Sequence, residues 1–293
     1  FCRRQARNCV MSRLLLCTDL DRTLIANGAQ PESQGALALF RQLVRREDVT
    51  LVYVSGRHRA LIERAMYEFD LPVPDFAIAD VGSTIYQASP SGWQKNEAWC
   101  AQIAPDWHGL THDDLCRLLA VFPALHLQPP EQQNRHKLSY HVAPEEDCAK
   151  LMREMDACLK GAHIRANLIW SIDEPAGLGL LDVLPASANK LHAIRFLMQQ
   201  NGFQEGEVIF AGDSGNDLEV LLSGIPAVLV ANADPQVKNQ VAAANPDTLY
   251  LAQGGYLGMN GNYSAGILEG VAHYHPALDA WLRAQKLKFL GDH

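Results

Sequence analysis

The 293-residue sequence has no apolar run long enough to span a bilayer; its runs are short, such as Ala227-Val228-Leu229-Val230-Ala231. No membrane-spanning helix and no membrane partner are therefore expected. Cysteine is sparse and odd in number, seven residues at 2, 9, 17, 100, 116, 148 and 158, with no Cys-x-x-Cys pair. That argues against a zinc ribbon or a disulfide framework and suits the reduced thiols of a cytoplasmic protein. Positive charge is in deficit, 25 Lys and Arg against 33 Asp and Glu, for a net charge of -8. A broad nucleic-acid surface is excluded on that count, whereas a local pocket for a small anion is not. Residues 1–10 are basic and polar and lack the apolar stretch of a secretory signal, so they read as an extension ahead of Met11 with no part in the fold. What remains is an ordinary globular composition, 48% apolar and 20% charged, enough for one large domain or two modest ones.

Strand and helix patterns alternate at both ends of the chain. Residues 14–18, 49–54 and 76–79 read as strands, with helical spacing over 33–46 and 60–69. The rhythm returns with helices over 189–200, 217–222 and 235–244, strands over 207–211, 227–231 and 248–251, and two terminal helices over 265–275 and 276–287. Alternation of this kind predicts an α/β fold with a parallel sheet covered on both faces. The middle differs: residues 137–142 and 163–171 alternate like strands around a helix over 145–160. The predicted organisation is a parallel-sheet, Rossmann-like core over 11–85 and 185–293, with an α+β cap domain inserted over 86–184.

Leu14-Leu15-Leu16-Cys17-Thr18 is apolar without alternation, the mark of a buried parallel strand, and it ends in Asp19-Leu20-Asp21-Arg22-Thr23. Ligands of open α/β sheets bind at such strand ends, and two acids one residue apart repel unless a cation or a reaction uses them. Asp19 suits a carboxylate nucleophile toward phosphorus, and Asp21 an acid/base for the leaving oxygen and for water. Ser55-Gly56-Arg57 follows the strand over 49–54 and can turn a hydroxyl and backbone N–H groups toward phosphate; the plain alternative is a helix cap. Lys190 opens a helix and offers a cation for phosphate; read alone it is a solvated lysine. Gly212-Asp213-Ser214-Gly215-Asn216-Asp217 follows another apolar strand, and its acids and amide suit a hard, oxygen-seeking cation such as Mg²⁺ as well as a capping turn.

These four pieces, in this order and at strand ends or helix starts, resemble the motifs of the haloacid dehalogenase superfamily of phosphohydrolases, and the long module between Ser55 and Lys190 resembles its class II cap. The resemblance implies in-line attack by Asp19, proton transfer by Asp21, phosphate contacts from Ser55, Gly56, Arg57, Lys190 and Asn216, and a supporting Thr23. It implies Mg²⁺ held by Asp19, the backbone carbonyl of Asp21, and Asp213, with Asp217 supporting.

The sequence also resembles the sucrose-6-phosphate phosphatases. The matching stretches include Val81-Gly82-Ser83, Ile85-Tyr86, Gln133-Asn134, Lys137-Leu138-Ser139-Tyr140-His141, Asp182-Val183-Leu184-Pro185, Asn189-Lys190 and Ala265-Gly266-Ile267-Leu268-Glu269. The resemblance implies a small sugar phosphate as substrate, Gln133, Asn134 and Lys137 against the disaccharide, and sucrose-phosphate synthase as a partner to consider. Two positions depart from that pattern: Arg22 stands where Asn is usual, and Thr84 where Glu is frequent. The alternatives are a phosphatase for another sugar phosphate (trehalose 6-phosphate or mannosylglycerate phosphate), a hexose phosphate mutase, and a non-catalytic sugar-phosphate sensor.

Overall fold

The computed structural model describes residues 13–89, 92–173, 177–244 and 246–291. The extension expected over residues 1–10, and Met11, lie outside them. The chain opens with β1 (Leu14–Thr18), α1 (Ala36–Val44), β2 (Val49–Val54), α2 (Arg59–Glu68) and β3 (Phe76–Ala79). It continues through β4 (Thr84–Ser89), β5 (Gly92–Lys95), α3 (Glu97–Ile103), α4 (His112–Leu119), β6 (His126–Leu127), β7 (Leu138–Val142), α5 (Cys148–Gly161), β8 (Ala166–Asp173) and β9 (Leu178–Pro185). The alternation resumes with α6 (Lys190–Asn201), β10 (Val208–Gly212), α7 (Leu218–Leu221), β11 (Ala227–Leu229), α8 (Pro235–Ala244), β12 (Leu249–Leu251), α9 (Ser264–Tyr274) and α10 (Pro276–Gly291).

Two compact units result, Phe1–Val52 with Met198–His293, and Tyr53–Leu197. In the first, strands run β12-β11-β10-β1-β2, with β1, β10, β11 and β12 parallel. Every residue of β1 is fully buried, which accounts for its unbroken apolar run. On α1 the buried side chains Ala36, Leu39, Phe40 and Leu43 recur at helical spacing and form its core face. Helix α9 approaches β11 so closely that a Cβ on Gly270 would lie 2.0 Å from Cγ2 of Val228, so only glycine fits there. From β1 the chain proceeds to β2 on one side, and only after Met198 does it supply β10 on the other. The C-terminal ends of β1 and β10 therefore flank a topological switch point, where open α/β sheets bind ligands.

The second unit begins inside β2. It carries the antiparallel pairs β3–β4 and β4–β5 and a separate antiparallel sheet, β6-β7-β9-β8. Leu151, Met155 and Leu159 of α5 bury at intervals of four against Leu138, Tyr140, Val142, Leu181 and Val183, and Asp147 caps the helix by accepting from the Lys150 N–H at 2.9 Å. Trp99 and Trp107 are fully buried, in keeping with packing roles. The architecture is thus α/β, a parallel, Rossmann-like core with an inserted α+β module. Residues 86–184 lie wholly inside the second unit. Among the described residues no helix is long and apolar enough to cross a membrane.

Candidate active site

Asp19 is the first residue beyond β1 and Asp213 the first beyond β10. Register fixes them side by side: Thr18 pairs with Ala211, and the Asp19 N–H donates to the Ala211 carbonyl at 2.9 Å. Asp217 joins them through the loop after β10. Its Oδ2 accepts from the N–H groups of Asp213 at 3.1 Å and Ser214 at 3.2 Å, a local fold in which the acid ties down its own turn. Gly212 permits this, because a Cβ there would lie 2.6 Å from that same Oδ2. The three carboxylates are buried, and each offers an oxygen within 4.8 Å of the others.

Three anionic groups so close repel one another in a low-dielectric setting, and an all-oxygen donor set is what a hard divalent cation takes. The cluster therefore fits such an ion. Thr23, fully buried, donates its hydroxyl to Asp213 Oδ1 at 3.1 Å, and Arg22 Nε lies 3.4 Å from Asp213 Oδ2. Asp21 is half-buried and lies outside the carboxylate cluster; its Oδ1 accepts from Asn27 Nδ2 at 2.7 Å. Asn216 is exposed, and its amide oxygen accepts from the Ser214 hydroxyl at 3.2 Å.

The remaining predicted residues lie in the second unit. Ser55 directly follows β2, is buried, and accepts the Arg57 N–H on Oγ at 3.1 Å. Gly56 is exposed and Arg57 half-buried. This loop is held from beneath by the residues after β3: Val81 N–H donates to the Ser55 carbonyl at 3.2 Å, and Asp80 N–H to the Arg57 carbonyl at 3.0 Å. Lys190 is buried at the first position of α6, beside Asn189, whose side chain accepts the His192 N–H at 2.8 Å.

Gln133, Asn134 and Lys137 have partners within this unit. Gln133 Nε2 donates to the carbonyls of Gln128 at 3.0 Å and Ser139 at 2.8 Å. Asn134 Nδ2 donates to Ser83 and Thr84 hydroxyls at 3.3 Å each. Lys137, 4% exposed, has Nζ 3.7 Å from Asp182 Oδ1 and 3.9 Å from Asp80 Oδ1. Burial pushes the Asp80 carboxyl up against the opposing pull of Lys137. His136 packs edge-on against Trp107 at 5.8 Å, and burial, reinforced by Arg135, pulls it down to about 4, so it is neutral near pH 7.

Asp80, which the sequence reading does not name, and Asp182, which it names only within a stretch of the resemblance, are the carboxylates that Lys137 meets. Asp80 carried one signal, an acid directly after an apolar strand, as at Asp19 and Asp213. The backbone there is unusual as well: Asp80, Val81 and Gly82 have φ of 53°, 59° and 98°, a left-handed run that is costly for a β-branched residue.

A HAD-like hydrolase of Nitrosococcus oceani, whose name gives no substrate, is 51% identical over 92% of this chain and 74% of its own length. Sucrose-phosphatase 1 of Nicotiana tabacum is 26% identical over 90% of this chain, which spans only 60% of that relative. Among solved structures, the sucrose-phosphatase of a Synechocystis species, crystallised with sucrose and phosphate, superposes with a TM-score of 0.70 at 29% identity, covering 90% of this chain and 98% of that one. The family model of the sucrose-6F-phosphate phosphohydrolases matches residues 12–275. An acid cluster at the strand ends of a Rossmann-like core, an α+β insert and these likenesses lead to one conclusion: the chain belongs to the sucrose-6F-phosphate phosphohydrolase family, within the HAD superfamily of phosphatases.

Proposed function

We propose that the protein is a Mg²⁺-dependent phosphatase that hydrolyses sucrose 6-phosphate to sucrose and inorganic phosphate through an aspartyl phosphate. The observation that carries this reading is the buried triad of Asp19, Asp213 and Asp217 at the switch point of the parallel sheet. Asp19 and Asp213, with the Asp21 carbonyl, would hold Mg²⁺, and Asp217 would support the loop. Bound there, the ion would neutralise charge on the phosphoryl oxygens and orient the phosphate for in-line attack.

The chain's own groups then act in two steps. An Asp19 carboxylate oxygen attacks phosphorus, its O–P bond forms, and the bond from phosphorus to the sugar oxygen breaks as Asp21 gives that oxygen a proton. Asp21, now ionised, takes a proton from water. The water oxygen bonds to phosphorus, and the Asp19 O–P bond breaks to release phosphate. Ser55, Gly56, Arg57, Lys190 and Asn216 contribute hydroxyl, N–H, cationic and amide contacts to the phosphate oxygens. Residues 86–184 act as the cap that selects the sugar, and Gln133, Asn134 and Lys137 shape its recognition surface through the bonds described above.

Thr84 favours a second reading. It is buried and accepts from Asn134, where sequences of this kind frequently carry Glu, so the sugar side has different chemistry. A phosphatase acting on another sugar phosphate, such as trehalose 6-phosphate or mannosylglycerate phosphate, would use the same phosphoryl-transfer residues and differ on the sugar side. Phosphate release across these esters and hexose phosphates, with and without Mg²⁺, separates the readings. The first predicts the highest kcat/KM for sucrose 6-phosphate and loss of turnover on chelation; a clear preference for another ester selects the second.

A further inference from the structure

Arg22 lies in the segment that leaves β1, between the acid pair and Thr23. Its backbone is left-handed, with φ of 58°. That backbone is gripped on both sides: its N–H donates to Asn27 Oδ1 at 2.8 Å, and its carbonyl accepts from Asn232 Nδ2 at 2.6 Å. The side chain is 42% exposed, yet it turns inward so that Nε lies 3.4 Å from Oδ2 of Asp213, itself 1% exposed. The other Asp213 oxygen is taken by Thr23. A guanidinium thus stands against one of the carboxylates that crowd within 4.8 Å.

We infer that Arg22 is a built-in counter-ion of the acid triad, supplying positive charge at Asp213 in the metal-free protein and competing with a divalent cation for it. The inference rests on the reading of Asp19, Asp213 and Asp217 as a metal-binding group. Because the Arg22 side chain is substantially in solvent, its pairing is weakened by screening, and a divalent ion displaces it at modest cost. The fixed backbone and partly exposed side chain suit that exchange: the guanidinium gives way while Thr23 remains on Asp213.

The consequence is a pair of opposite effects that a bracing residue does not produce. Removing the cation weakens the metal-free protein and strengthens metal binding. The test uses the full chain and Mg²⁺ alone, with no substrate. Calorimetric titration gives the Mg²⁺ affinity of the native protein, Arg22→Gln and Arg22→Lys, and thermal melting is run metal-free and Mg²⁺-saturated. Gln is chosen over Asn because Asn itself favours left-handed backbone. The expected result is several-fold tighter Mg²⁺ binding by Arg22→Gln, a lower metal-free melting temperature, and a wider gap between metal-free and saturated melting; Arg22→Lys falls between. Equal or weaker Mg²⁺ affinity in Arg22→Gln, with Arg22→Lys no different from native, overturns the competition. Should the native chain and both variants fail to bind Mg²⁺, the metal reading falls and the competition with it, and unchanged metal-free melting in Arg22→Gln removes the counter-ion role as well.

Discussion

Thr23 and Asp213, 190 residues apart in the chain, are joined by a hydrogen bond of 3.1 Å from the buried threonine hydroxyl to Oδ1 of the carboxylate. The bond links the segment after β1 to the loop after β10 and fixes which way Asp213 faces. Outer groups that orient ligating carboxylates typically change metal affinity or activity by 10–100-fold. Thr23→Val, nearly the same shape without the hydroxyl, is therefore expected to weaken Mg²⁺ binding by about 10-fold or more while leaving the circular dichroism spectrum native. Titration calorimetry checks this.

Gly212 presents its Cα to Asp217, and a methyl group there would sit 2.6 Å from Oδ2. Gly212→Ala must push that carboxylate off the Asp213 and Ser214 N–H groups. The expected outcome is a loss of Mg²⁺ affinity on the order of 10-fold, as for other supporting groups of metal sites, with activity restored in part at high Mg²⁺. Activity measured against Mg²⁺ concentration reads the shift.

Lys137 stands between two carboxylates in a nearly dry setting, with Asp80 and Lys137 both about 5% exposed at the side chain. Truncating the cation leaves Asp80 and Asp182 without it. Lys137→Met is expected to cost about 3–5 kcal/mol, the range for breaking a buried pair from one side. Urea denaturation measures it, and Asp80→Asn in the same background should recover part of the loss by removing one of the two stranded charges.

These cases mark what the sequence made legible. Apolar runs ending in acids locate Asp19 and Asp213, because a parallel strand with both faces covered must be apolar throughout and reactive groups must cluster where it ends. Strand pairing across the switch point, which brings those two residues together, is a property of topology and carries no local signal. The helix expected over 33–46 begins at Ala36, since Gly35 is left-handed with φ of 77°. The helix expected over 217–222 loses its first residue to a tight turn, Gly215–Asp217, that serves the acid cluster. Strand β9 has no strand reading in the sequence, where Asp182-Val183-Leu184-Pro185 enters only through the resemblance, and helices α3 and α4 are too short for periodicity to declare them. Lys137 meets Asp80, 57 positions before it (137 against 80), and Asp182, 45 positions after it (182 against 137), so no spacing rule finds these contacts.

His136 supplies a pH dependence of stability. Its pKa is lowered from 6.5 to about 4 by burial, so the folded state binds fewer protons than the unfolded chain between those values. The stabilisation is complete above pH 6.5 and is lost as the pH falls toward 4. At 1.36 kcal/mol per pKa unit, the loss amounts to roughly 2–3 kcal/mol between pH 7 and pH 4. Urea midpoints at these two pH values should differ accordingly, and His136→Gln should flatten that part of the profile.

The central claim is that a carboxylate oxygen of Asp19 bonds to phosphorus beside a divalent ion. Acid-quenched single turnovers of radiolabelled sucrose 6-phosphate with Mg²⁺, run on the native protein and on Asp19→Asn, test it most directly. The account predicts protein-bound label that forms and decays in the native protein, none in Asp19→Asn, and phosphate release in that variant lowered by about 10³-fold or more. Phosphate release by a folded Asp19→Asn at the native rate would contradict it.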